Sequence, residues 1–321
     1  MIHEAKKFMS EPHPLPSWNH EAYLNAKRQD RGRVMLQQLR DRQFANTLEV
    51  VEAGGYVTTS GKEIRLPDDS SMMEDSVLYS GPTDFMEQEP HFEKEDTVYD
   101  VINDDCMAVT ERLVREGYFP ALLNLANGQR PGAGPVKSNT QEEAILRRTN
   151  LFRSLYQFER IGLHYGVPQR PERYPLDECW GGVYAPDVVL FREGEQDGYR
   201  LKEEPVSFAV ITVAAVCDPE LIDDTHMSER DAETTRCKIR TILRIGYLHR
   251  HDALVLGAFG CGAFGNPPSH MARLFRQVLE EEEFSHRFRK VVFAIIEDIY
   301  SGCYYNPDGN FKPFFDEFMR S

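Results

Sequence analysis

The chain has 321 residues, 41% of them hydrophobic, which is enough for one large domain or two small ones. Its formal charge of −15 argues against a general nucleic-acid binder, because a phosphate backbone needs a basic face. No apolar run approaches the roughly 20 residues of a membrane span, and the N-terminus lacks the apolar core of a signal peptide, so a cytoplasmic or nuclear protein is expected.

Residues 18–53 read as helical, with Val34, Leu36, Leu39, Phe44, Leu48 and Val51 on an apolar face and Gly54-Gly55 as the stop. Residues 56–66 read as a hairpin turning at Ser60-Gly61. Residues 67–100 hold eleven acidic residues against one lysine, Lys94, and so carry ten of the fifteen net negative charges. They read as a loop or insertion, with a basic protein partner as one use for the charge and solubility as the other.

From residue 100 strands and helices alternate. A helix is expected at 103–116, a buried strand at 118–125, and one long helix over 140–163. Loop at 164–186 precedes a strand at 187–192, and the apolar run 208–216 reads as an interior strand. A helix near 228–249, a strand at 253–259, a helix at 269–283 and a strand at 291–296 follow. An aromatic tail from 299 is expected to pack on the body. This alternation predicts a layered α/β fold with a mixed or parallel sheet.

Six cysteines, at 106, 179, 217, 237, 261 and 303, include no CxxC pair and read as reduced, buried thiols. The ten histidines show no zinc-ligand spacing. No metal or cofactor is expected.

Two glycine-rich turns stand out. The first runs from Pro131 through Gly132, Ala133, Gly134 and Val136 to Gln141-Glu142-Glu143. Flexible glycines let a ligand approach backbone N–H groups, and adjacent carboxyls at a helix start can do acid–base work. Thr140 and Glu143 also fit a capping box, which is a purely structural use of the same glutamate. Asn124 and Asn127 end the strand that enters this turn, where amides either recognise sugar hydroxyls or simply tolerate a turn.

The second turn, Gly260-Cys261-Gly262-Ala263-Phe264-Gly265, spells GxGxxG between a strand and a helix. It lies late in the chain, Pro267-Pro268 follows at once, and the acids near 280 sit at a helix end, so a Rossmann oxidoreductase is disfavoured. A phosphate-binding loop of another α/β fold fits better. Phe264 is either core or an aromatic lid, Cys261 a small loop residue, and Arg147-Arg148 ordinary helix-face ion pairs.

Taken together these residues resemble the microbial-type poly(ADP-ribose) glycohydrolase family of the macrodomain superfamily. The likeness lies in Asn124-Leu-Ala-Asn127, Gly132-Ala-Gly134, Gln141-Glu-Glu143 with its helix to Leu155, Val210 to Ala215, and Leu254 to Pro268. It implies a macrodomain-like three-layer α/β/α core over 54–298 with a mixed sheet, preceded by an N-terminal helical extension, 1–53, and followed by the tail 299–321. It implies ADP-ribose between the two turns, with Gly132 to Val136 along the distal ribose. Gly260 to Gly265 would wrap the diphosphate, and Phe264 would pack on the ribose. Glu143 would be the general acid and Glu142 would hold ribose hydroxyls. The implied activity is hydrolysis of the glycosidic bond in poly(ADP-ribose) or ADP-ribosylated protein, and a non-catalytic ADP-ribose reader is the alternative. Ala133 departs from the family's three consecutive glycines.

Overall fold

The computed structural model describes residues 14–29, 33–82, 96–132 and 140–320. Two N-terminal helices, α1 (His20–Gln29) and α2 (Arg33–Glu52), lead into the expected hairpin, β1 (Gly55–Val57) with β2 (Glu63–Arg65). The next segment is more ordered than its acidity implies. Short helix α3 (Ser70–Asp75) and strand β3 (Val77–Tyr79) occupy its start, and β4 (Val98–Ile102) its end. Met72 and Met73 are buried, and Asp69 and Asp100 pair with Arg153 and Lys290, so part of the charge is spent on the fold. Five of the acids, Asp84, Glu87, Glu89, Glu93 and Glu95, lie outside the described residues.

Helix α4 (Cys106–Arg115) and strand β5 (Pro120–Leu125) follow as expected. The long helix expected at 140–163 is instead α5 (Gln141–Arg148) and α6 (Leu151–Leu155), then two 3₁₀ segments, Tyr156–Phe158 and Arg160–Tyr165. Tertiary pairing overrides helix periodicity at the break. Thr149 turns extended and bridges Leu190, and Asn150 Oδ1 accepts the Val189 N–H at 2.8 Å. The strands β6 (Gly182–Arg192) and β7 (Leu201–Val213) are longer than their apolar runs. A small ribbon, β8 (Leu221–Asp223) with β9 (His226–Met227), precedes α7 (Glu229–Leu248), β10 (Ala253–Leu256), α8 (Pro268–Leu279), β11 (Lys290–Ala294) and α9 (Phe311–Met319).

The seven-stranded sheet has the order β3-β6-β7-β5-β10-β11-β4. Strands β7, β5, β10, β11 and β4 are parallel, while β6 runs antiparallel to both of its neighbours. Alternate residues feed opposite cores, as a pleated strand requires. Leu123, Ile211, Leu254 and Phe293 face α7, α8 and α9, whereas Leu122, Val210, Val255 and Val292 face α4, α5 and α6. The result is an α/β/α sandwich. Phe314 and Phe318 bury α9 against the first of these cores, so the tail packs on the body. No helix among the described residues is long and apolar enough to cross a membrane.

One cysteine expectation is overturned. Cys179 and Cys237 are joined in a disulfide between the loop before β6 and helix α7. The fold brings together two residues 58 positions apart, which spacing along the chain does not reveal. The remaining four are free thiols, with Cys106 and Cys261 buried and Cys217 exposed.

Candidate active site

The site begins where two parallel strands part. β5 pairs with β7 as far as Leu125 but with β10 only as far as Leu122. The chain leaving β5 crosses toward β6, and the chain leaving β10 crosses toward β11. That reversal is the switch point at which open α/β sheets leave a crevice. Gln141 takes the edge that β10 vacates. Its Nε2 donates to the Leu123 carbonyl at 2.8 Å and its Oε1 accepts the Leu125 N–H at 2.7 Å. The first residue of α5 is thereby registered to the strand end, and the two glutamates follow it.

Glu142 is 2% exposed and Glu143 3%. Glu142 Oε2 accepts the Asn127 N–H at 3.2 Å, Oε1 meets Asn124 Nδ2 at 3.4 Å, and the Gly132 N–H adds a further bond. These donors and the helix N-terminus favour the carboxylate. Burial outweighs them, helped by the charge of Glu143, and pushes Glu142 up to about 8. Tyr156 and Tyr174 are close enough for the charge of Glu142 to help hold their hydroxyls protonated, though burial is the larger cause in each. The Tyr174 hydroxyl is buried without a hydrogen-bond partner among the described residues.

The capping-box expectation needs correction. Thr140 occupies the N-cap position, but its side chain makes no bond to the helix N–H groups. Its hydroxyl bonds the Glu143 carboxylate directly. Among the described residues Glu143 therefore meets one exchangeable hydroxyl, while Glu142 is held by three N–H donors.

Asn124 is fully buried and its Nδ2 also donates to Thr212 Oγ1 at 3.2 Å. Its Oδ1 has no partner among the described residues. Asn127 closes a turn, with Oδ1 accepting the N–H groups of Gln129 at 2.9 Å and Arg130 at 3.3 Å. Ala133, Gly134 and Val136 lie outside the described residues.

The second turn forms the other wall. Asn266 is buried and its Nδ2 binds the carbonyls of Val216 at 2.7 Å, Gly260 at 3.1 Å and Phe264 at 3.3 Å, tying the turn to the end of β7. Gly260 sits at φ +73°, and a Cβ there would meet Asn266 Nδ2 at 2.5 Å, so this glycine is structural. The N–H groups of Gly262, Ala263 and Phe264 donate to no protein acceptor among the described residues, which leaves a row of donors for an anion. Ala263 is exposed, and Phe264 is half-buried and packs on the core below. Cys261 is fully buried, with its thiol pushed far up by burial, so it is no nucleophile.

Gly262 offers a clean test. It lies outside the left-handed region, and a Cβ there would meet the Asp298 carboxylate at 2.8 Å and, at ordinary contact distance, the Tyr300 ring at 3.8 Å. The Asp298 side chain can move. Gly262→Val is expected to weaken ADP-ribose binding by about tenfold, a lost charge-assisted hydrogen bond or two, with little change in melting temperature. Unchanged affinity by calorimetry would remove this turn from the phosphate site.

Two arginines differ from expectation. Arg147 and Arg148 are buried, not surface ion pairs. Arg148 holds Asp105, the N-cap of α4, at 2.8 and 3.0 Å, and Arg147 Nε donates to the Tyr199 hydroxyl at 3.1 Å. Thr212 was legible as the one polar side chain in the run from Phe208 to Val216. Tyr174 and Asp298 carry no comparable mark in the sequence.

A buried carboxyl pair at a helix start, at the same sheet edge as N–H groups that have no acceptor among the described residues, suits glycosidic acid catalysis on a phosphate-bearing sugar. Comparison with known proteins agrees. Residues 45–193 match the model of the microbial-type PARG catalytic domain. The poly(ADP-ribose) glycohydrolase of Thermomonospora curvata is 28% identical, with a TM-score of 0.70 over 87% of this chain and 99% of that one. The same enzyme bound to the inhibitor ADP-HPD superposes with a TM-score of 0.67 over 88% and 98%. The poly(ADP-ribose) glycohydrolase of Deinococcus radiodurans in complex with ADP-ribose is 26% identical, with a TM-score of 0.60 over 80% and 99%. No curated protein matches. The sandwich is thus macrodomain-like, and these comparisons support the microbial-type poly(ADP-ribose) glycohydrolase family for this chain.

Proposed function

We propose that this glycosidase cleaves the bond at the anomeric carbon of ADP-ribose units in poly(ADP-ribose), with Glu143 as general acid. The observation that carries the assignment is the contrast between the two carboxyls. Glu142 meets Asn124, Asn127 and Gly132, while Glu143, among the described residues, meets the Thr140 hydroxyl, which a substrate oxygen can replace. In its protonated form Glu143 gives a proton to the departing oxygen as the carbon–oxygen bond breaks and oxocarbenium character develops. Water then adds to that carbon and returns a proton to the carboxylate, releasing ADP-ribose. Glu142, neutral at pH 7, adds no charge beside an anionic ligand and can donate to a ribose hydroxyl. The N–H groups of Gly262 to Phe264 suit the diphosphate, with Phe264 beside the ribose.

The raised pKa of Glu142 favours a second reading, in which Glu142 is itself the proton donor. Single Gln substitutions at the two positions separate the readings. The activity is tested by incubating the protein with poly(ADP-ribose) and with mono-ADP-ribosylated protein and measuring free ADP-ribose. Release from the polymer is expected, and no release from either substrate would refute the assignment.

A further inference from the structure

The far end of the acid-bearing helix is held by a buried polar network that the chemistry above does not use. The last carbonyls of a helix lack intrahelical donors. In α5 the Arg147 carbonyl accepts from Gln43 Nε2 at 2.7 Å and from Thr47 Oγ1 at 2.7 Å, both on α2. The Thr47 hydroxyl also accepts from Gln43 Nε2 at 3.1 Å and from Arg192 Nε at 3.0 Å. Those two donors fill its lone pairs, so its single proton is directed at the Arg147 carbonyl. Arg192 is fixed in turn, Nη2 donating to Asn46 Oδ1 at 2.6 Å and Nη1 to the Tyr199 carbonyl at 3.1 Å. Gln43, Thr47 and Arg192 are all fully buried.

Arg147 lies four residues beyond Glu143, which is about 6 Å along a helix. Helix α5 has only eight residues, with Gln141 seated on β5 at one end and this clamp at the other. A helix so short moves as one body. We infer that Thr47 and Gln43 are positioning residues for the glycosidase reaction, holding α5 along its axis so that the carboxyls stay at the crevice. This rests on the glutamate assignment above.

Thr47→Val removes the hydroxyl and keeps the shape. It is expected to lower kcat on poly(ADP-ribose) by about tenfold, because small misplacements of reacting groups are costly, and to leave the Kd for ADP-ribose within about twofold. Thr47→Ser should regain most of the rate. Should Thr47→Val fail to fold, Gln43→Met, which leaves the threonine bond in place, carries the same test with a smaller loss of kcat and an unchanged Kd. A lower melting temperature with wild-type kcat would reduce the clamp to a stabilising contact and overturn the inference, as would parallel losses in kcat and Kd. Glu143→Gln is measured alongside. If that variant keeps full turnover, the acid assignment fails whatever Thr47 does. If it is inactive while Thr47→Val turns over normally, only the positioning inference fails.

Discussion

Glu143→Gln is expected to lose at least about 10²-fold in kcat, the usual contribution of a general acid, while still binding ADP-ribose. The substitution is nearly isosteric. The amide can keep the Thr140 hydroxyl as a partner, and Glu142 retains its own three N–H donors. The fold should therefore tolerate the change. Release of ADP-ribose and calorimetric binding together decide the matter. Turnover near that of the wild type in a folded variant would sink the acid assignment. A fall in melting temperature with no loss of turnover would return Glu143 to a capping role.

Glu142→Gln should alter how stability depends on pH. In the folded protein burial keeps Glu142 protonated up to about 8. An unfolded chain releases that proton near the ordinary glutamate value of about 4.3. Between those limits the unfolded state binds fewer protons than the native state, so this group lowers stability as pH rises. The penalty is absent below about pH 4, grows through neutrality and is complete above pH 8, where it amounts to a few kcal/mol. The glutamine variant lacks it. Its amide meets N–H donors where the carboxyl met them, a cost independent of pH. The readout is therefore the melting-temperature difference between variant and wild type, which should move in favour of the variant from pH 5 to pH 8. A difference that stays constant would show that Glu142 titrates normally. A loss of activity in this variant beyond that of Glu143→Gln would favour Glu142 as the proton donor.

Strands β5, β7, β10 and β11 and most helices were readable because burial on two faces writes continuous apolar runs, as in Phe208 to Val216; the short strands β3, β4, β8 and β9, which carry no such run, were not. The turn at 260–265 was readable as a turn because Gly260 and Gly265 take positive φ, which favours glycine. The uneven roles of Glu142 and Glu143 were not. They depend on which amides reach each carboxyl, and those amides come from Asn124, Asn127 and Gly132, up to 18 residues away. The break after Arg148 was hidden because a helical pattern persists through it, and only the bridge from Thr149 to Leu190 ends the helix. The buried Arg147 and Arg148 looked like surface charges for a similar reason, as their partners Tyr199 and Asp105 lie on other elements. The Cys179–Cys237 link joins a loop to a helix 58 positions later, and nothing local announces it.

The way Gln141 grips β5 has a consequence for how much this site can vary. The amide stands in for a missing strand, so the two carboxyls are indexed to the sheet by residue count and not by the shape of the turn that precedes them. One residue inserted between Gln141 and Glu142 would swing both carboxyls about 100° around the helix axis and carry them off the crevice. Residues added before Thr140 would leave that indexing untouched. The segment before Thr140 can therefore change length and composition while the place of both carboxyls stays the same.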